Sequence, residues 1–216
     1  MSIITLASSK GGCGKTTVAR LLLAHAARHG LRAGALDADL NHSLADWIKQ
    51  HQAPFEVRAE IDETRIVPTV STLHERHDLV VIDTAGAATQ ATVFAIGCAD
   101  LVLIPLKLSA ADVTEAARTM ALVKSASTMM NREIVARVVL TGFKPRTSVA
   151  AHVEQEIASA KMPDIKSRLH DLVAFEEMTF NGIVPATGPA GMQAEALFAE
   201  AMALADPTYQ PQKLAS

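Results

Sequence analysis

A glycine-rich loop, set between an apolar segment and a helix-forming segment, limits the folds open to this chain more than any other stretch. The loop reads Ser-Ser-Lys-Gly-Gly-Cys-Gly-Lys-Thr-Thr at residues 8–17, after the apolar residues 3–7 and before residues 18–27. Its glycines let successive backbone N–H groups point at one anion, and the helix N-terminus adds partial positive charge. The order strand, loop and helix predicts a phosphate-binding loop, with Lys15 at the β- and γ-phosphates and the Thr16 hydroxyl on Mg²⁺.

Residues 10–17 read Lys-Gly-Gly-Cys-Gly-Lys-Thr-Thr, and Ser9 stands where the ordinary P-loop pattern has its first glycine. They resemble the deviant Walker A motif, KGGxGK(S/T)T, of the ParA/MinD family of ATPases. The resemblance covers most of the chain and is strongest from residue 1 to about residue 106. It implies ATP as the ligand and an ATP-dependent homodimer, in which Lys10 reaches across to the phosphates bound by the partner subunit. The ATP-binding residues it implies are Lys10, Gly11, Gly12, Cys13, Gly14, Lys15, Thr16 and Thr17.

Two aspartates follow the second predicted strand, which is apolar on both faces as a buried parallel strand should be. Carboxylates at the carboxyl end of such a strand point into the nucleotide crevice of a sheet that carries a P-loop. The segment Asp-Ala-Asp-Leu-Asn-His-Ser at residues 37–43 resembles the family's DxDPQxS motif, with Leu40 in place of proline and Asn41 in place of glutamine. The resemblance implies that Asp37 holds Mg²⁺ through water and that Asp39 orients or activates the attacking water. A solvated turn with a helix cap is the alternative interpretation.

A second signal is the β-branched run Leu-Val-Val-Ile-Asp-Thr at residues 79–84, which contains Asp83 at its end and is typical of a Walker B strand. A central parallel strand of this kind ends beside the P-loop. Asp83 is therefore expected in the outer shell of the Mg²⁺ ion. Gly86 is expected to offer its backbone N–H to the γ-phosphate and so to distinguish ATP from ADP. An ordinary buried strand with a capping aspartate is the alternative.

Strands alternate with helices along the whole sequence. This order predicts an α/β fold, a doubly wound, mostly parallel sheet with helices on both faces, as in P-loop NTPases of the deviant Walker A type. One ATPase domain is predicted over residues 1–205, and residues 206–216 are predicted to form a disordered tail. The predicted strands are 3–7, 31–36, 55–61, a run ending at residue 83, 101–106, 134–141 and 163–170, and the predicted helices are 15–29, 43–50, 67–77, 88–99, 109–130, 148–160, 172–181 and 190–205.

Composition narrows the cellular setting and the class of partner. The net charge of −3 gives no global basic excess of the kind that indicates nucleic-acid binding, although it allows a local patch. The only cysteines, Cys13 and Cys98, have neither a Cys-x-x-Cys nor a metal-ligand spacing, which favours a reducing cytoplasm. We expect no signal peptide and no membrane partner, because residue 1 leads into the first strand and no apolar run reaches the length of a membrane span.

The resemblance implies ATP hydrolysis with the nucleotide state as the output, and three classes of function stay open. The first is a short ParA-type ATPase that segregates a plasmid or chromosome with a ParB-like partner, or a close variant that positions a protein cargo such as a chemoreceptor cluster. The second is a membrane-bound MinD-like division-site regulator, which is disfavoured because residues 209–216 supply no basic amphipathic helix. The third is a metabolic or metal-cluster enzyme of the same fold, which needs substrate residues or ligand cysteines that the sequence does not offer.

The resemblance also implies contacts in the latter half of the chain. Residues 143–145 are expected near the adenine. Non-specific DNA binding, and with it association with the nucleoid, is expected from a set of basic residues, with a solvated helix surface as the alternative. These residues are Arg132, Arg137, Lys144, Arg146, Lys161, Lys166 and Arg168.

Overall fold

Seven parallel strands form one sheet in the computed structural model, which describes residues 1–210. The strands are β1 (Ser2–Leu6), β2 (Ala33–Ala38), β3 (Glu56–Ala59), β4 (Leu79–Thr84), β5 (Leu101–Leu106), β6 (Val135–Phe143) and β7 (Asp164–His170). They lie in the order β3-β2-β4-β1-β5-β6-β7, and every neighbouring pair is parallel. The predicted doubly wound sheet is confirmed, and within these residues it is parallel throughout.

Within residues 1–210, eight helices connect the strands and cover both faces of the sheet. They are α1 (Lys15–Arg28), α2 (Ser43–Gln50), α3 (Glu63–His74), α4 (Gln90–Cys98), α5 (Ala110–Met129), α6 (Ser148–Ser159), α7 (Val173–Asn181) and α8 (Gly188–Ala205). Buried side chains of α1, α2, α7 and α8 form the core on one face, and those of α3 to α6 pack on the other. β4 is buried on both sides, as a parallel strand between two helix layers must be. None of these helices combines the length and the apolar character needed to cross a membrane.

The third helix begins four residues before the predicted start at residue 67. α3 starts at Glu63, because Asp62 accepts a hydrogen bond from the Thr64 N–H at 2.9 Å and so caps the helix. Pro68 lies inside the helix.

Residues 206–209, which the sequence analysis assigns to a disordered tail, pack onto the domain. The Asp206 carboxylate accepts a hydrogen bond from the Thr208 N–H at 2.9 Å. The Tyr209 ring stands edge-on to Phe198 of α8, with ring centroids 6.2 Å apart. An aromatic side chain thus anchors this turn, and residues 211–216 of the predicted tail lie outside the described residues.

The chain changes direction across the sheet at β1. After β1 it passes through α1 to β2 on one side, and after β4 it returns past β1 to β5 on the other. Leu6 of β1 is in register with Asp83 of β4, which is in register with Asp37 of β2. Ligand crevices in open parallel sheets form at the carboxyl ends of the strands where the strand order reverses. The glycine loop and both aspartates therefore meet at one point of the sheet.

Candidate functional site

The loop between β1 and α1 forms an anion cradle. Gly12 and Gly14 have φ values of +75° and +99°, in the left-handed region that glycine adopts without strain. The first hydrogen bond of α1 runs from the Val18 N–H to the Gly14 carbonyl at 2.9 Å, and Gly14, the N-cap residue, has no side chain with which to cap the helix. The N–H groups of residues 15–17 therefore precede the first helical bond. Together with the helix dipole, they make this end of α1 suited to a phosphate group.

Lys15 and Cys13 lie on the inner side of the loop. The Lys15 ammonium donates to the Lys10 carbonyl at 3.1 Å, and the Cys13 thiol donates to the same oxygen at 3.4 Å. The Thr141 hydroxyl at the end of β6 donates to the Cys13 carbonyl at 2.7 Å, a support that sequence reasoning missed. Lys15 is only 6% exposed, and its partner is a neutral carbonyl. A phosphate would offer this buried ammonium a stronger, charge-assisted bond.

Thr16 and Asp83 bring together oxygen atoms of the kind that Mg²⁺ binds. The Thr16 hydroxyl donates to Asp83 Oδ2 at 2.6 Å. Asp83 is 1% exposed, and its Oδ1 has no hydrogen-bond partner among the described residues. A buried carboxylate oxygen without a partner calls for an explanation, and a hard cation supplies one. The two side chains therefore fit the predicted Mg²⁺ ion.

The acidity of Asp83 reflects this burial. Desolvation raises its pKa to about 7 from the ordinary 3.8, the Thr16 hydroxyl opposes the rise, and the Asp37 carboxylate adds to it. Between about pH 4 and pH 7 the folded protein therefore binds a proton at Asp83 that the unfolded chain releases. In this window the contribution of Asp83 to the free energy of unfolding therefore falls as the pH rises.

Asp83→Asn is expected to remove this pH dependence. In EDTA, the free energy of unfolding of the wild type should fall from about pH 5 to about pH 8 by on the order of 2 kcal/mol more than that of the variant. Urea denaturation of both proteins at the two pH values measures the difference, in which titratable groups that do not interact with Asp83 cancel. Parallel pH profiles for the two proteins would contradict the assignment.

The turn between β2 and α2 is built on Asp37. Its Oδ2 accepts hydrogen bonds from the N–H groups of Leu44 and Ala45 at 2.9 and 2.8 Å, and its Oδ1 accepts one from the Asp39 N–H at 3.1 Å. Burial raises the pKa of Asp37, whereas these N–H groups lower it. The carboxylate is fully buried and accepts from the first turn of α2, whereas residues 39–43 of the turn are partly or fully exposed. Its contact with Mg²⁺ through water stays a prediction.

Asp39 lies partly exposed at the edge of the cleft described below. Its Oδ1 accepts hydrogen bonds from the backbone N–H and the side-chain amide of Asn41 at 2.9 and 3.0 Å. Asn41, which stands where the similar motif has glutamine, therefore fixes the orientation of this carboxylate. The role of Asp39 toward the attacking water stays a prediction.

Gly86 lies where the loop after β4 touches the P-loop. A Cβ atom at this position would be 2.7 Å from the Gly11 nitrogen and 2.8 Å from the Gly11 Cα. Because these are backbone atoms, any larger residue would displace the P-loop. The backbone of Gly86 thus lies beside the cradle, and its N–H contact with the γ-phosphate stays a prediction.

Lys10 forms an ion pair with Asp112 in the first turn of α5. The Lys10 side chain is 44% exposed, whereas Asp112 is 6% exposed. The hydrogen bond to Asp112 raises the pKa of Lys10. The Asp112 N–H also donates to the hydroxyl of Ser109, the N-cap of α5, at 3.1 Å. The structure adds Asp112 to the site as the intramolecular partner of Lys10.

A cleft of about 710 Å³ opens over the P-loop. One wall contains the loop glycines, Asp39, Gly86 and Lys107, a lysine that the sequence analysis did not single out. The other wall follows β7 and includes Leu169, Leu172 and Phe175. The volume and the mixture of polar and apolar lining residues suit a nucleotide.

Residues 143–145, the predicted adenine contacts, lie outside the lining of the cleft, and their contact with a base stays a prediction. β6 extends two residues beyond its predicted end, so that Phe143 lies within the strand, 8% exposed and packed against the His170 ring. The Lys144 ammonium forms an exposed ion pair with the Asp171 carboxylate at 3.1 Å. Among the described residues, the apolar lining of the cleft comes instead from the segment at the end of β7.

The family model described as VirC1 protein matches residues 1–199 of the chain. The chain belongs to the VirC1 family. Protein ParA of Rhizobium radiobacter is among its relatives, which confirms the ParA/MinD family of P-loop ATPases predicted from the glycine loop.

Three comparisons describe this VirC1 family member further. Protein ParA of Rhizobium radiobacter is 35% identical over 151 residues, which cover 67% of this chain and 66% of ParA. Maintenance of carboxysome distribution protein A of Halothiobacillus neapolitanus is 25% identical over 185 residues, or 83% of this chain and 84% of that protein. The structure of the septum site-determining protein MinD from Pyrococcus horikoshii, complexed with Mg-ADP, matches with a TM-score of 0.74 at 18% identity, covering 97% of this chain and 99% of that one. The last likeness concerns the fold alone.

Proposed function

We propose that the chain is a ParA-type ATPase that binds ATP with Mg²⁺, dimerises around it and uses hydrolysis to segregate or position a cargo. The observation that carries the proposal is the meeting of Lys15, the Thr16 hydroxyl and the unpartnered Asp83 oxygen at the end of β1 and β4. The MinD of Pyrococcus horikoshii, which has the same fold, is complexed with Mg-ADP and supports this choice of ligand.

Different residues of the site have different roles in phosphoryl transfer. The loop N–H groups and Lys15 hold the phosphates and stabilise charge in the transition state, which is the main contribution a protein makes to this reaction. Thr16 and, in the outer shell, Asp83 and Asp37 would hold Mg²⁺, which when bound would neutralise charge on the phosphate oxygens. Asp39, oriented by Asn41, positions the attacking water.

The nucleotide state then sets the assembly state. ATP is sandwiched between two subunits, and each Lys10 contacts the phosphates held by the other. Hydrolysis releases the dimer, and an adaptor protein of the ParB-like kind stimulates this step. The binding free energy of ATP is thereby converted into a reversible change of partners.

Asp39→Ala is expected to bind ATP normally and to lose turnover, because this carboxylate acts on water and not on phosphate. We expect an ATP Kd within about threefold of wild type and a kcat lower by at least about a hundredfold. Phosphate release and equilibrium ATP binding measure the two effects. Asp46→Ala, an exposed aspartate of α2, serves as the matched control. An Asp39→Ala protein that hydrolyses ATP at the wild-type rate would remove the assigned role.

The cargo is the second part of the proposal, and the ParA match favours DNA as the first candidate. A protein cargo is favoured by the relative named for carboxysome distribution and by the ion pairs that three of the predicted DNA-binding residues form. Arg132, Lys144 and Arg168 form ion pairs with aspartates at 3.5, 3.1 and 2.6 Å. Carboxylate partners compete with DNA phosphates for these three cations, which reduces the basic surface expected from the sequence.

If DNA is the cargo, the ATP-bound Asp39→Ala protein should retard duplex DNA, with an affinity that falls steeply with salt as counterions are released. Replacing the exposed Arg146, Lys161 and Lys166 together by glutamine should weaken binding by about tenfold or more. A variant with Arg28, Lys49 and Lys124 replaced by glutamine is the matched control, since these residues are also exposed. Absence of a mobility shift at every salt concentration would support the protein cargo instead.

A further inference from the structure

A buried arginine on α1 has no role in the site as described so far. Arg20 is 7% exposed, although arginine is rarely buried to this degree unless it is paired. Its Nη2 donates to the Ser43 carbonyl at 3.2 Å, and its Cζ lies 5.0 Å from the centroid of the Trp47 ring. Its Nε is buried and has no hydrogen-bond partner among residues 1–210. The cation is thus desolvated for two contacts, and both are to α2.

Arg20 lies one helical turn after Thr16, so the two side chains share a face of α1. Thr16 contacts Asp83 on this face, and Asp37 is the neighbour of Asp83 in the sheet. Burial lowers the pKa of Arg20, and the Asp83 and Asp37 carboxylates oppose this effect. The guanidinium therefore connects the metal-binding end of α1 to the start of α2.

The segment between Asp39 and Ser43 is fastened at both ends. At its start, the Asp39 N–H donates to Asp37 at 3.1 Å. At its end, the Leu44 N–H donates to Asp37 at 2.9 Å, and Arg20 donates to the Ser43 carbonyl. The bonds to Asp37 tie the segment to the sheet, whereas the bond from Arg20 ties it to the helix that carries the P-loop.

We propose that Arg20 is a positioning residue for ATP hydrolysis, because its bond to Ser43 fixes the Asp39 carboxylate relative to the phosphate-binding loop. The inference rests on the proposed ATPase activity. Displacing a catalytic group by about 1 Å lowers a rate by about a hundredfold, so one lost anchor has a measurable effect.

The chemistry of the site requires arginine and not only a positive charge. The Arg20 guanidinium lies over the Trp47 ring, with Cζ 5.0 Å from the centroid, and donates to the Ser43 carbonyl at the same time. The Trp47 ring is itself held in place, since its Nε1 donates to the Met178 carbonyl of α7 at 2.9 Å. A lysine ammonium at position 20 would keep the positive charge and the ability to donate a hydrogen bond, but it would lose the planar group that lies over the Trp47 ring.

Steady-state kinetics and ATP binding test the proposal with three variants. Arg20→Gln should keep its ATP Kd within about threefold of wild type and lose about tenfold or more in kcat. Arg20→Lys should recover part of the lost kcat, with a rate about threefold below wild type. Arg28→Gln, at an exposed arginine of the same helix, should match wild type in both measurements.

Hydrogen exchange adds a readout that does not depend on turnover. Amides of residues 39–45 should exchange about tenfold faster in Arg20→Gln than in Arg28→Gln, while amides of β1 and β4 keep their protection. If the wild type does not hydrolyse ATP but this exchange pattern appears, the ATPase proposal fails and the anchoring by Arg20 stands.

Three outcomes would overturn the positioning role. The first is a wild-type kcat and wild-type exchange in Arg20→Gln. The second is a parallel loss of ATP affinity and kcat with faster exchange throughout the domain, which would make Arg20 a support of the fold only. The third outcome applies if Arg20→Gln does not fold, in which case Arg20→Lys is tested by the same measurements. A wild-type kcat and a wild-type exchange pattern in Arg20→Lys would then overturn the proposal.

Discussion

Lys15→Ala is expected to abolish ATP binding, with a loss in affinity of at least about a hundredfold, or roughly 3 kcal/mol. Lys15 lies inside the loop, 6% exposed, and its ammonium is bonded to the Lys10 carbonyl. ATP replaces that neutral partner with a phosphate in a largely dry site, where an ion pair has its greatest strength. The loop N–H groups remain in the variant, but they supply partial charges only.

Equilibrium binding of a fluorescent ATP analogue, with and without Mg²⁺, measures the loss. Lys124→Ala removes an exposed lysine of α5 and is the matched control. A thermal melt establishes that both variants are folded. An affinity for Lys15→Ala within about twofold of wild type, roughly 0.4 kcal/mol, would rule out the phosphate-binding assignment.

The glycine loop could be predicted from sequence because its chemistry is local. Its glycines, Lys15 and Thr16 lie within one strand–loop–helix unit, and α1 begins at Lys15 as expected. The contact between Thr16 and Asp83 joins distant segments, yet the Walker B pattern predicts it, since the ends of β1 and β4 are adjacent in this class of sheet. Local motifs together with a known strand order therefore located this part of the site.

The residues that sequence reasoning missed act through tertiary packing. Asp112 and Thr141 both contact the P-loop, although Asp112 lies 102 positions after its partner Lys10 and Thr141 lies 128 positions after its partner Cys13. Neither belongs to a motif, and each has an ordinary local explanation, a helix cap for one and a strand end for the other. The end of β6 was predicted at residue 141 and lies at Phe143 for a related reason. The length of this strand is set by its pairing with β7 and not by its own apolar pattern.

The ion pair between Lys10 and Asp112 adds a requirement to the dimer hypothesis. In the single chain, Lys10 bonds to a carboxylate that is 6% exposed, and to act on a partner subunit it must leave that carboxylate. An ammonium–phosphate contact between subunits is largely desolvated, so losing it should weaken dimerisation by about 2–5 kcal/mol. We therefore expect Lys10→Ala to bind ATP, to stay monomeric and to show no stimulated ATPase activity.

Asp112→Asn separates the loss of the lysine from the loss of its intramolecular partner. The asparagine leaves no buried charge behind when Lys10 moves to the partner subunit, so the ATP-bound dimer should form at equal or lower protein concentration than in the parent. If the ion pair within one chain were what the dimer needs, Lys10→Ala and Asp112→Asn would instead weaken dimerisation alike. Asp112→Asn thus gives opposite results under the two mechanisms, whereas Lys10→Ala weakens dimerisation under both.

Light scattering at saturating ATP measures this difference, with the hydrolysis-blocked Asp39→Ala protein as the parent. Lys10→Ala/Asp39→Ala should remain monomeric at protein concentrations where the parent is dimeric, and Asp112→Asn/Asp39→Ala should be dimeric. The ATP affinity of the monomer should change little in either protein, because Lys15 and the loop N–H groups are intact. Dimerisation of Lys10→Ala/Asp39→Ala at the parent's concentration would show that Lys10 acts within its own subunit, and the sandwich dimer would lose its main support in this chain.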